Sequence, residues 1–252
     1  MRAFATAAFL LGTVLAPLPA LAQDHPDLTG FWAPGFGDMG DGPPDLLAKL
    51  PQGAVVIDDS GAAEFPRGEF GGLVLQPDAL ERAQKWSADD EMTLTRVCLP
   101  PSIVYGVQGP FPWEIIQTDE LIVFKYEYFD QVRLIFMDGR DHPGDDYPHT
   151  KMGFSTGYWD GDELVVDTTH LAESTITNNG LDHSEDIRMQ ERYRLTDDGT
   201  RLVATQWFSD PQVLVTDGAR YMAWDKREGE HIFPYECDPS FALEYQDMKA
   251  AQ

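Results

Sequence analysis

Basic residues are scarce in this chain: 18 Lys and Arg stand against 43 Asp and Glu, a formal net charge of −25 over 252 residues. Nucleic acid and anionic membranes both require clustered cations, so the sequence predicts neither as a partner. Long apolar runs are absent after residue 22, and nothing later approaches the ~20 residues that a transmembrane helix needs. No membrane insertion is therefore expected of the mature chain. Phosphate- and dinucleotide-binding glycine motifs are missing, as are H-E-x-x-H and the EF-hand spacing. Ser155 in "GFSTG" lacks the strand–turn–helix setting of a nucleophile elbow. The expectation is a protein with no cofactor and no resident metal.

Cysteine is also rare, with only Cys98 and Cys237. The alternatives are a disulfide and a lone reactive thiol, and the compartment decides between them. Arg2 precedes an apolar run that ends in Ala20, Leu21 and Ala22, with Pro17 and Pro19 just before. A positive start, a short apolar core and small residues at −3 and −1 describe a cleavable secretory signal over 1–22. The competing reading is an uncleaved anchor. A secreted or periplasmic location follows, and in an oxidising compartment the cysteine pair is expected to bond.

What remains suits one domain with a sizeable core. Residues 23–95 are rich in Gly, Pro and Asp and read as an irregular wrap, with a short strand in "LTGFW" and one helix over 77–88. Pro77 fits a first helical turn, while Leu80, Ala83 and Trp86 recur at helical spacing. Residues 96–252 read as a β core. Alternation marks strands at 114–118, 120–128, 131–137, 152–159, 162–170, 186–196, 200–208, 219–227 and 231–236. Tight turns such as "WDGDE" and "TDDGT" connect several of them. The fold expected is an antiparallel meander of eight or nine strands closing into a lipocalin-like barrel, with a β-sandwich as runner-up. Two connections, 138–150 and 171–185, exceed the short-turn rule, and loops of that length are commonly functional.

The polar residues that break the apolar pattern are the candidates for chemistry. Glu191 shares a strand face with Ile187, Met189, Tyr193 and Leu195. Burial there raises a carboxyl pKa toward general-acid use, unless Arg133 or Arg140 pairs with it structurally. Asp167 lies between Val165 and Thr169 and needs a partner if buried. His183 stands near Glu185 in "DHSED". The stretch "DGRDHPGDDYPH" over 138–149 offers Asp138, Arg140, His142 and His149. Arg140 could hold a carboxylate or enolate while His142 or His149 moves a proton. The expected catalytic set is Arg140, His142, His183 and Glu191. Asp138, His149, Tyr158, Trp159 and Asp167 are expected to bind substrate, with Tyr126, Tyr128, Phe154 and Trp207 as further aromatic lining. A zinc site from His142, His149 and His183 plus an acid is conceivable but nonspecific.

The segments "RLIFMDGRDHP", "MGFSTGYWDGDELVVDTT" and "DHSEDIRMQERYRL" resemble a widespread group of secreted bacterial proteins, mostly uncharacterised. Their pattern runs R-x-I-x-x-D-G-R-x-H-P, then G-x-S-x-G-x-W-E-G-D-x-L-V-V-D-T, then H-S-E and E-R. The resemblance covers about 96–240, and this chain has Asp160 where the pattern has Glu. By position the pattern falls on Arg133, Asp138, Arg140, His142, Ser155, Trp159, Asp162, Asp167, His183, Glu185, Glu191 and Arg192, with Cys98 and Cys237. It implies a mainly β, barrel-like secreted domain and carries no activity with it.

The expected function is a cofactor-independent lyase, isomerase or hydro-lyase acting by proton transfer on a small hydrophobic or aromatic molecule. A lipocalin-like carrier without chemistry is the alternative, and a metal-dependent enzyme a second.

Overall fold

The computed structural model describes residues 25–35, 42–58, 64–196 and 198–251; the expected signal segment and the middle of the "GFGDMGDGPPD" loop lie outside them. In chain order the elements are β1 (Gly30–Pro34), α1 (Pro44–Leu47), β2 (Val55–Val56), α2 (Pro77–Lys85), α3 (Ala88–Glu91) and α4 (Ile103–Gly106). They continue with β3 (Trp113–Gln117), β4 (Leu121–Tyr126), β5 (Val132–Phe136), β6 (Phe154–Asp160), β7 (Glu163–Thr169), β8 (Ser174–Thr177) and β9 (Leu181–His183). Last come β10 (Arg188–Leu195), β11 (Arg201–Ser209), β12 (Gly218–Lys226) and α5 (Phe241–Ala250).

Nine strands close a barrel in the order β1, β3, β4, β5, β6, β7, β10, β11, β12 and back to β1. Closure removes the exposed edges that a sheet of this size would otherwise carry. The period-2 pattern sets which side chains point inward: Leu164, Val166 and Thr168 from β7, and Met189, Glu191 and Tyr193 from β10, are buried. Gly161 at φ +64° closes the Asp-Gly turn between β6 and β7, where a side chain would be strained.

Four expectations are corrected. The barrel is mixed, because β5 and β6 pair in parallel through Ile135–Ser155 and Phe136–Thr156. A parallel pair cannot be joined by a tight turn, so the 137–153 stretch is a crossover. The expected strand at 231–236 is irregular, and β1 takes the ninth place by pairing Trp32 with both Trp113 and Lys226. The expected helix at 77–88 is present as α2, but the described residues hold five α-helices, of which the C-terminal α5 is the longest. Finally, the 171–185 connection carries the β8–β9 hairpin.

Large aromatic side chains pack inside the barrel. Trp113 packs against Phe124, Tyr126, Tyr193 and Trp224 with ring centroids 4.7–6.1 Å apart. Tyr126, expected at the mouth, is buried in this cluster. Arg220 points inward as well, donating to the Gln206 side chain, to the Val104 carbonyl and to the Ile176 carbonyl. Those bonds fasten α4 and β8 to the barrel. Cys98 and Cys237 are bonded, joining segments 139 residues apart. Among the described residues no helix is long and apolar enough to cross a membrane.

Candidate active site

The crossover between β5 and β6 lies over the outer wall of the barrel. Thr150 N donates to the His170 carbonyl at 3.0 Å, and Ala172 N donates to the Thr150 carbonyl at 2.9 Å, so the end of the crossover runs beside the chain leaving β7. Thr156, Asp167 and Thr169 project outward from β6 and β7, opposite in parity to the buried Leu164, Val166 and Thr168. His142 sits above them. Its Nδ1 is 2.8 Å from Thr169 Oγ1 and its Nε2 is 2.9 Å from Thr156 Oγ1.

His170 completes the arrangement. Strand parity would send its ring inward with Leu164, Val166 and Thr168, but its backbone is left-handed at φ +57°. The ring therefore turns to the outer side, with Nδ1 2.8 Å from the same Thr169 Oγ1 and Nε2 3.1 Å from the Gly144 carbonyl. A left-handed non-glycine residue costs on the order of 1–3 kcal/mol and is concentrated at functional sites. His149 packs beside it, with ring centroids 5.2 Å apart.

Between the crossover and residues 185–188 lies a cleft of ≈ 610 Å³ lined by His142, His149, His170, Glu185, Asp186 and Arg188, among others. Phe154 and Tyr147 pack edge-on against His142 and His170 respectively. Burial, opposed in part by the Asp167 carboxylate, lowers the His142 pKa below the ordinary histidine value. The ring is thus held neutral, as a base requires. The Arg188 guanidinium forms no hydrogen bond or ion pair among the described residues, and neither do the His149 ring nitrogens. An unpaired guanidinium beside three imidazoles suits an anionic ligand. No group of three His, Cys, Asp or Glu among the described residues is placed to hold a metal ion.

The other expected site residues are dispersed. Arg140 is occupied: its Nε donates to Asp138 Oδ1 at 2.8 Å, and its guanidinium lies 3.9 Å above the Phe136 ring. The Arg140 hydrogen bond in turn lowers the Asp138 pKa. Asp167 accepts from Gln190 Nε2 at 2.8 Å beneath the His142 region. Tyr158 is exposed on the wall, and Trp159 stacks on His25 at 4.9 Å, both outside the cleft lining.

Glu191 is sealed inside the barrel. Its Oε2 is 2.6 Å from Arg133 Nη2, the two side chains being 0% and 1% exposed. Tyr193 Oη donates to Glu191 Oε1 at 2.8 Å, while Arg133 donates to Ser155 and Thr168 at 3.0 and 2.6 Å. Burial opposes the Arg133 charge, but the Glu191 carboxylate, joined by the Tyr126 and Tyr193 hydroxyls, outweighs it and raises the pKa. This geometry is that of the structural pair.

His183 is equally enclosed, far along the chain from its partner. Its Nδ1 bonds to the Ser184 carbonyl at 2.8 Å, and a carbonyl can only accept, so the proton is on Nδ1. Nε2 then accepts the Ser102 hydroxyl at 2.7 Å. Burial lowers the pKa from 6.5 to about 4. Across that window the unfolded chain binds a proton that the folded chain does not, so this contribution to stability is present above pH 6.5 and is lost as pH falls toward 4. The stability advantage of the wild type over His183→Asn should shrink by roughly 2–3 kcal/mol between about pH 7 and pH 4.5. Urea unfolding of both proteins measures it. A difference independent of pH would contradict this account of His183.

His170, Thr169, Thr156 and Arg188 escaped the sequence reading as site residues. Thr169 shares a strand face with Val165 and Asp167, and Arg188 stands on the face opposite Met189 and Glu191. His170 carried no signal, because its orientation comes from one left-handed residue. No protein-family model and no curated protein matches the chain.

Proposed function

We propose that this chain is an extracytoplasmic, cofactor-independent acid–base enzyme: a lyase, isomerase or hydro-lyase acting on a small aromatic or otherwise hydrophobic molecule with an anionic or phenolic group. The observation that carries the reading is the convergence on one cleft of three imidazoles and an Arg188 guanidinium that has no partner among the described residues. Such reactions take a proton from one atom and return one to another. His142, oriented through Nδ1 by Thr169 and depressed in pKa, supplies the base. His149, whose ring nitrogens bond to no described residue, is placed to deliver the second proton. Arg188 anchors the anionic group, the role expected of Arg140, whose guanidinium is already taken by Asp138.

A periplasmic or secreted location is part of the same proposal. It is supported by the Cys98–Cys237 bond, the acidic surface and the apolar N-terminal run. A lipocalin-like carrier would place its ligand inside the barrel, where Trp113, Phe124, Tyr193 and Trp224 already pack.

A coloured anion, 4-nitrophenolate, tests the anchor. The wild type should bind it saturably, with a shift of its absorption band. Arg188→Gln should bind it about tenfold more weakly, the expected loss of one charge-assisted hydrogen bond. Equal affinity in the two proteins, or no saturable binding by the wild type, would overturn the assignment of Arg188.

A further inference from the structure

We propose that Thr169 joins His142 and His170 into a single proton relay, so that a proton taken up at His142 leaves its charge on His170. The inference rests on the acid–base reading of the cleft, and it follows from which atoms can donate. The Gly144 carbonyl can only accept, so His170 must carry its proton on Nε2 when neutral. His170 Nδ1 is then a lone pair and takes the Thr169 hydroxyl proton at 2.8 Å. With its proton so directed, Thr169 Oγ1 can only accept from His142, which must therefore be the Nδ1–H tautomer. His142 Nε2 is left as the basic lone pair, covered by the Thr156 hydroxyl at 2.9 Å. Four hydrogen bonds thus run in one direction, fixed at one end by a backbone carbonyl.

The transfer balances. A substrate proton bonds to His142 Nε2 as Thr156 rotates aside, and its electron pair stays on the substrate. The His142 Nδ1 proton passes to Thr169 Oγ1, and the Thr169 hydroxyl proton passes to His170 Nδ1. His142 is again neutral, now protonated on Nε2, and His170 is an imidazolium with N–H groups to Gly144 and Thr169. The reverse sequence returns the proton.

Charged groups surround both rings. From the crossover, Asp141 and Asp145 favour positive charge, while Tyr147 and His149 pack against His170. Asp167 on β7 favours charge on His142. From the 185–188 segment, Glu185 and Asp186 favour charge in the cleft and Arg188 opposes it.

The experiment is long-range ¹H–¹⁵N NMR of the imidazole rings of the ¹⁵N-labelled chain, with six histidines to assign. At neutral pH the wild type should show His142 protonated on Nδ1. As the relay takes up a proton, the two His142 nitrogens should exchange shift ranges, Nε2 becoming the protonated one. Thr169→Val keeps the side-chain shape, removes the hydroxyl and should abolish this coupling. Thr169→Ser should restore it. Independent titration of His142 and His170 in the wild type, or the same coupled change in Thr169→Val, would overturn the relay. The readout needs no turnover. A cleft that catalyses without coupled titration loses only the relay, and coupled titration without catalysis loses only the enzyme reading.

Discussion

Replacing Glu191 by alanine should cost the fold about 3–5 kcal/mol, the penalty for leaving one charge of a buried pair unpaired. Arg133 would keep its bonds to Ser155 and Thr168, but those hydroxyls carry no charge. Among the described residues no other carboxylate acts on the guanidinium, whose remaining polar neighbours are Ser155, Thr168, Tyr126 and Tyr193. Tyr193 would also lose the acceptor for its hydroxyl. The urea midpoint should fall while the m-value is unchanged, as expected when stability alone changes. Removing both charges, as in Arg133→Met with Glu191→Leu, should recover most of the loss, because the pair repays its own desolvation poorly. That double variant should also retain 4-nitrophenolate binding, since neither residue lines the cleft. A Glu191→Ala protein within about 1 kcal/mol of the wild type would contradict the structural role.

The second large effect belongs to His142. Positioned general bases contribute roughly 10²–10⁴-fold to rate. The ring opening of 5-nitrobenzisoxazole is a substrate-independent assay of such a base. Removal of its one acidic C–H proton breaks the N–O bond and releases a coloured phenolate, an aromatic anion of the kind Arg188 should accommodate. His142→Ala should lower this activity by about 10²-fold with an unchanged circular dichroism spectrum. The pH profile follows from the lowered pKa. The wild-type rate should stay level as pH falls through 6.5, the ordinary histidine value, and decline only below it, where His142 takes up a proton.

How much of this was legible in the sequence depends on the range of the interaction responsible. Alternation within one strand is local, so β6, β7, β10, β11 and β12 fall close to where the pattern placed them. Glu191 stood out as an acid on an apolar face, and Arg133 was legible as one of two candidate partners, beside Arg140. The direction of strand pairing is not local. Nothing in 131–137 or 152–159 records that β5 and β6 run parallel, and the crossover that builds the cleft was therefore read only as a long loop. Length marked the crossover as a functional candidate, but its meeting with residues 185–188 and the outward turn of His170 on a left-handed backbone are tertiary. His183 was conspicuous beside Glu185, yet its partner Ser102 lies 81 residues earlier, beyond any motif. Arg140 looked available because a sequence does not show that Asp138 folds back to hold it.

The central claim, that the His142 cleft performs proton transfer, is tested most directly by 5-nitrobenzisoxazole ring opening at neutral pH with wild type, His142→Ala and His149→Ala. The account predicts saturable turnover by the wild type, a fall of about 10²-fold in His142→Ala and a smaller fall in His149→Ala, because the elimination takes one proton and returns none. Wild-type turnover no faster than that of the His142→Ala protein would contradict it.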